Sequence, residues 1–425
     1  MISLILSVCA LGMSFSACAQ KRVEDPILEC RGEAISLSFY EFLLSRMKGT
    51  LARNKYDVKS DSFWDQKTAR GITYEEHYNA SVLESCRNYL AAAVLFDEEG
   101  LKLSDATLAA IEEEVAFYID YDGDGDEAAF NEILADYGID ADGLREAYIN
   151  EAKYEYLINK LYGADGSLIA DTVKEEYYKE NYYRFKQVLI TNFYYEYKRD
   201  TQGNIIYFDS ETGKPLYDSE KGTFVYDSKG NRVKDSYGCT IYYDTDGNIL
   251  YDTEKGKPSV ELDSTGAGKK YYYTDEEMAE RLTLSKEIYA SLTDGNVSAF
   301  ESAMDKHNVI YGEESYPDGY YLSEIESSGY DGYLVEMLDA LKGMEVGEIA
   351  YIESDYGYHV IMKYELDGGK YADKLYAEWF TGFTSSLVNK LFLDKCGKII
   401  PDIKEIAENL EKARSIRDIG INFDY

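Results

Sequence analysis

Apolar residues recur at helical spacing through the first part of the chain and then change to alternation, and that change of period divides the sequence. Gly32-Glu33-Ala34-Ile35-Ser36 reads as the end of a strand. Ser38-x-x-Glu41 reads as a capping box, opening an amphipathic helix through Phe39, Leu43 and Met47. A second box, Thr73-x-x-Glu76, begins a helix with Val82, Cys86, Leu90 and Val94 along one face. Ser104 precedes a helix carrying Leu108, Ile111 and Val115; Phe130, Ile133 and Leu134 signal another, and Leu144 to Leu161 a third that stops at Gly163. A last helix is predicted around Val173 to Tyr183. Residues 32–181 therefore form an all-helical region of domain size.

Phe185-Lys186-Gln187-Val188-Leu189-Ile190 is an apolar strand, and from Tyr195 to Tyr273 aromatic and branched residues alternate with turn formers at Gly203-Asn204, Thr212-Gly213, Lys229-Gly230-Asn231 and Asp246-Gly247-Asn248. That pattern predicts consecutive β-hairpins. A short internal repeat, Gly-Asn-Ile-x-Tyr at Gly203 and Gly247, runs through them, so residues 196–272 read as a hairpin insertion. Helical period resumes at Thr274-x-x-Glu277, running to about Leu292, then at Val297 to Glu301 and at Leu334 to Leu341. The last zone, residues 370–425, predicts one long helix with Leu375, Trp379, Phe383, Leu387 and Leu391 on a single face, a short strand at Lys398-Ile399-Ile400-Pro401, and a further helix. An apolar face so broad needs a partner to bury it.

Composition and charge then narrow the function. With 80 acidic against 44 basic side chains the net charge is −36, which repels phosphate backbones and argues against nucleic acid. The 43 tyrosines supply amphipathic contact surface suited to unfolded chains. Met1 to Ala17 is uncharged, mostly apolar and ends in small residues, the layout of an export signal; Phe15-Ser16-Ala17-Cys18 looks like a lipobox, in which Cys18 is acylated. The expectation is an exported chain, lipid-anchored at the extracytoplasmic face of a bacterial cell membrane, with a linker over residues 18–31. Cys30, Cys86, Cys239 and Cys396 are widely spaced and form no zinc pattern; disulfides and isolated thiols both remain open. Asp120-x-Asp122-x-Asp124-Gly125 begins like a calcium loop, but Glu127 and Asn131 stand where an aliphatic residue and a Glu belong, so it reads as an inter-helix loop. His77 and His307 have no second ligand nearby and read as surface or packing residues. No metal and no cofactor are expected.

The segment from Gly347 to Leu366 packs a Gly-Glu-Ile turn, Tyr356-Gly357-Tyr358-His359 and a strand together. It resembles the last strand of a parvulin-type peptidyl-prolyl isomerase domain. Phe185 to Ile190 is similar to that family's first strand, Val297 to Glu301 to the start of one of its short helices, and Lys342 to Ile349 to the loop before its closing strands. The helical region resembles the N-terminal domain of SurA/PrsA-like exported foldases. The resemblance implies an α+β chain: a SurA N-like helical domain over residues 32–181, completed by C-terminal helices over 370–425 that pack on it, and a parvulin-like α/β domain over 182–369 that carries the hairpin insertion.

An X-Pro bond isomerises over a barrier of roughly 18–20 kcal/mol. A catalyst needs no nucleophile, only an apolar pocket that desolvates the amide and polar groups that stabilise the twisted state. Carried onto this sequence, the resemblance puts His359 at the family's second histidine, Ser354 at its hydroxyl, Gly357 at its turn, and Met337, Tyr333 and Tyr356 at the proline pocket. Gln187 stands where the first histidine belongs. No Cys or Asp falls between His307 and Glu313, the nearest acids being Glu313 and Glu314. A catalytic role and a strand-holding role for His359 both remain open. The implied function is a foldase for unfolded or newly exported proteins containing X-Pro bonds; the alternatives are a catalytically inactive holdase and a wall-binding lipoprotein working through the hairpins. A homodimer that cradles a client is left open.

Overall fold

A computed structural model of the chain describes residues 25–292, 295–307, 316–327 and 332–425. The segment expected to be an export signal, with Cys18, and Glu313 and Glu314 lie outside them. The chain divides into two units: the second is Glu175–Phe383, and the first joins the chain before it to Thr384–Tyr425. These boundaries differ from the expected breaks at 181/182 and 369/370, because aromatic packing draws both flanks into the second unit. Tyr178 sits against Tyr182, Tyr371 and Phe380 at 5.6–5.8 Å, and Tyr321 against Tyr376 at 5.3 Å.

In the first unit β1 (Pro26–Cys30) pairs antiparallel with β2 (Glu33–Ser36). The expected linker is thus partly a strand; with Ile27 and Leu28 fully buried, five residues were too few for alternation to show. α1 (Leu37–Arg53) is capped by Ser36, whose Oγ accepts from the Phe39 amide at 3.1 Å. The expected box at Ser38 does not form, because Glu41 turns inward and accepts from the Arg414 amide at 2.7 Å and from Arg414 Nε at 2.9 Å. After α2 (Asp61–Trp64), α3 (Tyr74–Glu98) starts with the predicted reciprocal box, Glu76 N–H to Thr73 Oγ1 and Thr73 N–H to Glu76 Oε2. α4 (Asp105–Tyr121), α5 (Glu127–Leu134) and α6 (Ala141–Tyr162) follow, capped by Ser104, Asp126 and Asp140. The calcium-like loop is spent on these roles: Asp126 caps α5, and Asp122 accepts from the Tyr425 hydroxyl at 2.6 Å. Among the described residues no cluster of acids, Cys and His could hold a metal ion.

α7 (Asp171–Asn181) leads into the second unit, whose β3 (Tyr182–Thr191) is four residues longer than the predicted strand. The insertion follows: β4 (Phe193–Tyr195), β5 (Tyr207–Phe208), β6 (Lys257–Pro258) and β7 (Lys270–Tyr272), with β4 pairing β7 and β5 pairing β6 so that its two halves run antiparallel. Three of the small turns are closed by an aspartate three residues ahead of the turn glycine. Asp200 accepts from the amides of Gln202 and Asn204, Asp227 from Lys229 and Asn231, and Asp244 from Asp246 and Asn248, all at 2.8–2.9 Å.

α8 (Asp275–Leu292), α9 (Val297–His307), β8 (Tyr320–Ser323), α10 (Gly332–Gly343), β9 (Ile349–Ser354) and β10 (Gly357–Tyr364) complete the unit. The sheet is antiparallel throughout in the order β8-β3-β10-β9. Because successive residues of a strand face opposite ways, each face has its own core. Val188, Ile190, Val360 and Met362 pack with Ile288, Leu292 and Phe300 of α8 and α9. Phe185 and Ile361 pack with Met337, Leu338 and Leu341 of α10.

The predicted long C-terminal helix is two pieces, a 3-10 stretch at Lys374–Phe380 and α11 (Phe383–Cys396), since the chain turns at Gly382, whose amide donates to Glu326 Oε1 at 2.9 Å. The stripe is broken accordingly, and Leu375 is 53% exposed. The strand expected at Lys398 to Pro401 is a 3-10 turn, Ile400–Asp402, which suits a proline whose φ is locked and whose N–H is missing. The strand is β11 (Lys404–Glu405), paired with β1; after the single turn of α12 (Ala407–Leu410) the chain runs as an irregular strap to Tyr425.

Candidate functional site

Antiparallel register brings three polar side chains together on the α10 face of the sheet. His359 on β10 lies opposite Leu189 of β3 and Ile352 of β9, so Gln187 and Ser354, each two residues along, are its diagonal neighbours. Both bond it: Gln187 Oε1 lies 2.8 Å from His359 Nδ1, and Ser354 Oγ 2.7 Å from Nε2. Taking the glutamine oxygen as acceptor makes Nδ1 the protonated nitrogen, so the serine hydroxyl donates to Nε2. The Tyr356 amide donates into Ser354 Oγ at 3.0 Å and so fixes the hydroxyl.

Tyr333, at the start of α10, stacks on the imidazole at 5.8 Å with planes 12° apart, and Tyr356 packs on Tyr333 at 4.6 Å. The two tyrosines are half-buried, whereas His359 is 0% exposed. Burial pushes its pKa down to about 4, so the ring is neutral near pH 7. Both ring nitrogens are occupied, one donating and one accepting. Such a histidine is a fixed dipole, not a proton carrier.

Five of the predicted site residues therefore converge: His359, Ser354, Gln187, Tyr333 and Tyr356. Met337 lies beneath them, fully buried in the α10 core with Phe185 and Ile361 against which Tyr333 packs, so it lines no open surface. His77 is exposed, and His307 is the last residue of α9.

Two residues at the site were not foreseen. Asn192 donates from Nδ2 to Asp355 O at 2.6 Å and from its amide to Tyr356 O at 2.9 Å, pinning the turn that carries Tyr356. Lys270, from the returning strand of the insertion, holds its ammonium 4.4 Å from the ring centres of both Tyr356 and Phe193. No local spacing marks either, because pairing across the sheet delivers them. Gly357 at the turn has φ +135° and lies so near the Ile190 carbonyl that a Cβ would stand 2.2 Å from its oxygen. A cavity of about 320 Å³ between Lys186, Glu301, Asp305, Pro317 and Tyr320 lies elsewhere in the unit and shares no residue with the His359 cluster.

No family model matches the sequence, and no curated protein matches it. Among solved structures, the crystal structure of PrsA from Bacillus subtilis aligns over 84% of this chain and 94% of that one, at 16% identity and a TM-score of 0.19. A superposition of that quality carries no argument about fold or function. The chain is mixed helix and antiparallel sheet by its own elements. Among the described residues no helix is long and apolar enough to cross a membrane.

Proposed function

We propose that the protein is an exported foldase whose second unit binds X-Pro segments of unfolded chains against Tyr333 and Tyr356. One observation carries the reading. Ser354 and His359, which resemble a parvulin site in sequence, and Gln187, which stands in place of that site's first histidine, are bonded through His359 into one network beneath two aromatic rings. A half-buried aromatic pair over a preorganised neutral dipole is the kind of surface that desolvates a prolyl amide and lowers the barrier to twisting it. Prolyl isomerisation of a tetrapeptide panel, measured for the wild type beside His359→Ala, tests the reading; acceleration that the variant loses supports an isomerase. His359 at 0% exposure favours a second reading, a holdase that keeps the fold without catalysis. That reading expects background rates from both proteins, together with suppressed aggregation of a reduced, unfolded protein.

The reading includes export and a lipid tether at Cys18. Fatty-acid labelling that disappears in Cys18→Ser supports the anchor, and labelling that persists, or is absent from the wild type, removes it.

A further inference from the structure

The sheet order β8-β3-β10-β9 leaves β9 as an edge strand. Its free side follows from the register. Ser354 and Gly357 are partners across a two-residue turn, and such a pair must exchange both backbone bonds. Residues 350, 352 and 354 therefore turn their N–H and C=O groups toward β10, while Ile349, Tyr351 and Glu353 turn theirs away. The other side of β10 agrees, since the Asn192 amide bonds Tyr356 O and so sets the even-numbered residues of β10 toward β3. Among the described residues nothing bonds the outward backbone groups of Ile349, Tyr351 or Glu353.

Proteins blunt such edges with lysine, proline, bulges or very short strands. The six residues of β9, Ile-Ala-Tyr-Ile-Glu-Ser, have none of these, and their pairing runs without a register shift. Exposed carboxylates flank both ends: Glu345 and Glu348 before the strand, Glu353 and Asp355 at its close, none of them ion-paired among the described residues. A second copy of a chain carrying a net charge of −36 is repelled there.

We infer that β9 is a docking edge for an extended, positively charged segment of an unfolded chain, which adds to the sheet as a fifth strand beside Ser354. The inference rests on the reading that this unit handles unfolded chains, and it names the client as extended and basic. Main-chain bonds supply affinity with little demand on sequence, and the acidic rim selects for charge.

The experiment is amide hydrogen exchange on the full chain, with and without a capped twelve-residue peptide of alternating Lys, Thr and Val that contains no proline. Bound peptide slows exchange at Tyr351 and Glu353 at least tenfold and leaves the already bonded amides of Ala350 and Ile352 nearly unchanged. Glu353→Pro removes an outward N–H and no ladder bond, so it weakens peptide binding at least tenfold at an unchanged Tm; Ile352→Pro, which removes a ladder bond, lowers the Tm. Replacing every Lys in the peptide by Glu weakens binding at least tenfold. Binding without protection at Tyr351 and Glu353, equal binding by Glu353→Pro, equal binding of the Glu peptide, or no binding by either peptide overturns the inference. A prolyl tetrapeptide, too short to build a ladder, reports on Tyr333 and Tyr356 separately, so the edge and the prolyl site fail independently.

Discussion

Gly49 lies inside α1, where alanine ordinarily stabilises a helix by about 1 kcal/mol. Here the sign reverses. A Cβ on residue 49 would stand 1.7 Å from Asn422 O and 2.7 Å from its carbonyl carbon. Ordinary contact is about 3.5 Å, so the strap must retreat by roughly 1.5–2 Å. Asn422 is 3% exposed, and its amide and Nδ2 bond Ser45 O and Ser45 Oγ, both at 3.2 Å; a retreat of that size breaks both. Buried partners left unpaired cost about 1–3 kcal/mol each. Taken against the helix gain, Gly49→Ala destabilises the first unit by about 3 kcal/mol. That is a lower bound if the strap lifts as a whole, because the buried Lys48 ammonium donates to Arg417 O and Ile419 O, each at 2.7 Å, and would lose both. For a unit of this size the transition falls by about 6–12 °C. Calorimetry of the full chain reads it, with the second unit's transition as internal control. In a chain truncated after Ile421 the obstacle is gone, and the same substitution becomes neutral or stabilising. A full-length Gly49→Ala protein with an unchanged or higher transition refutes the reasoning.

Acidification reaches the His359 network before the carboxylates. Its pKa is about 4 folded, against an unfolded value near 6.5, so the unfolded chain binds the proton first. The stability this neutral ring contributes is whole above pH 6.5 and declines by about 3 kcal/mol as pH falls to 4; His359→Gln removes that slope from the second unit's melting curve. In the insertion, Asp209, Asp218, Asp227, Asp244 and Asp263 have carboxyls held below the usual range, chiefly by hydrogen bonds from their own turns. Their contribution is present above the ordinary carboxylate pKa and lost as pH falls through the lower folded values. Near-ultraviolet circular dichroism of the tyrosines therefore stays flat to about pH 4 and collapses below it, in a step distinct from the His359 slope. Gly357→Ala places a methyl 2.2 Å from Ile190 O at a φ of +135°, so it opens the β9–β10 turn, costs more than about 3 kcal/mol and abolishes the peptide binding proposed at Tyr333 and Tyr356; retained binding with an unchanged Tm contradicts this.

The sequence was most legible where the determinants are local. Thr73 and Glu76, Ser104, Gly163 and the Thr274–Glu277 pair announced helix ends that form as expected, because a cap involves residues three apart. It misled where a local signal competed with a distant partner. Ser38 and Glu41 had the spacing of a box, but Glu41 is claimed by Arg414, 373 residues away. Leu375 to Leu391 kept a helical stripe through Gly382, where Glu326 holds a turn.

The site shows both kinds of information at once. Ser354, Tyr356, Gly357 and His359 lie within one hairpin, so their association could be read along the chain. Gln187 could be placed only by assuming a register between strands 172 residues apart. Lys270 and Asn192 had no signal at all. What the register adds is a chemical restriction. With Gln187 holding Nδ1 and Ser354 filling Nε2, the one histidine in the cluster has no nitrogen left to exchange a proton with a substrate. Any acceleration of prolyl isomerisation must then come from desolvation by Tyr333 and Tyr356 and from a fixed dipole, so its rate stays level from pH 5 to pH 8. A rate that titrates near pH 6.5 would require His359 to be exposed and protonatable, and would overturn the placement of that ring.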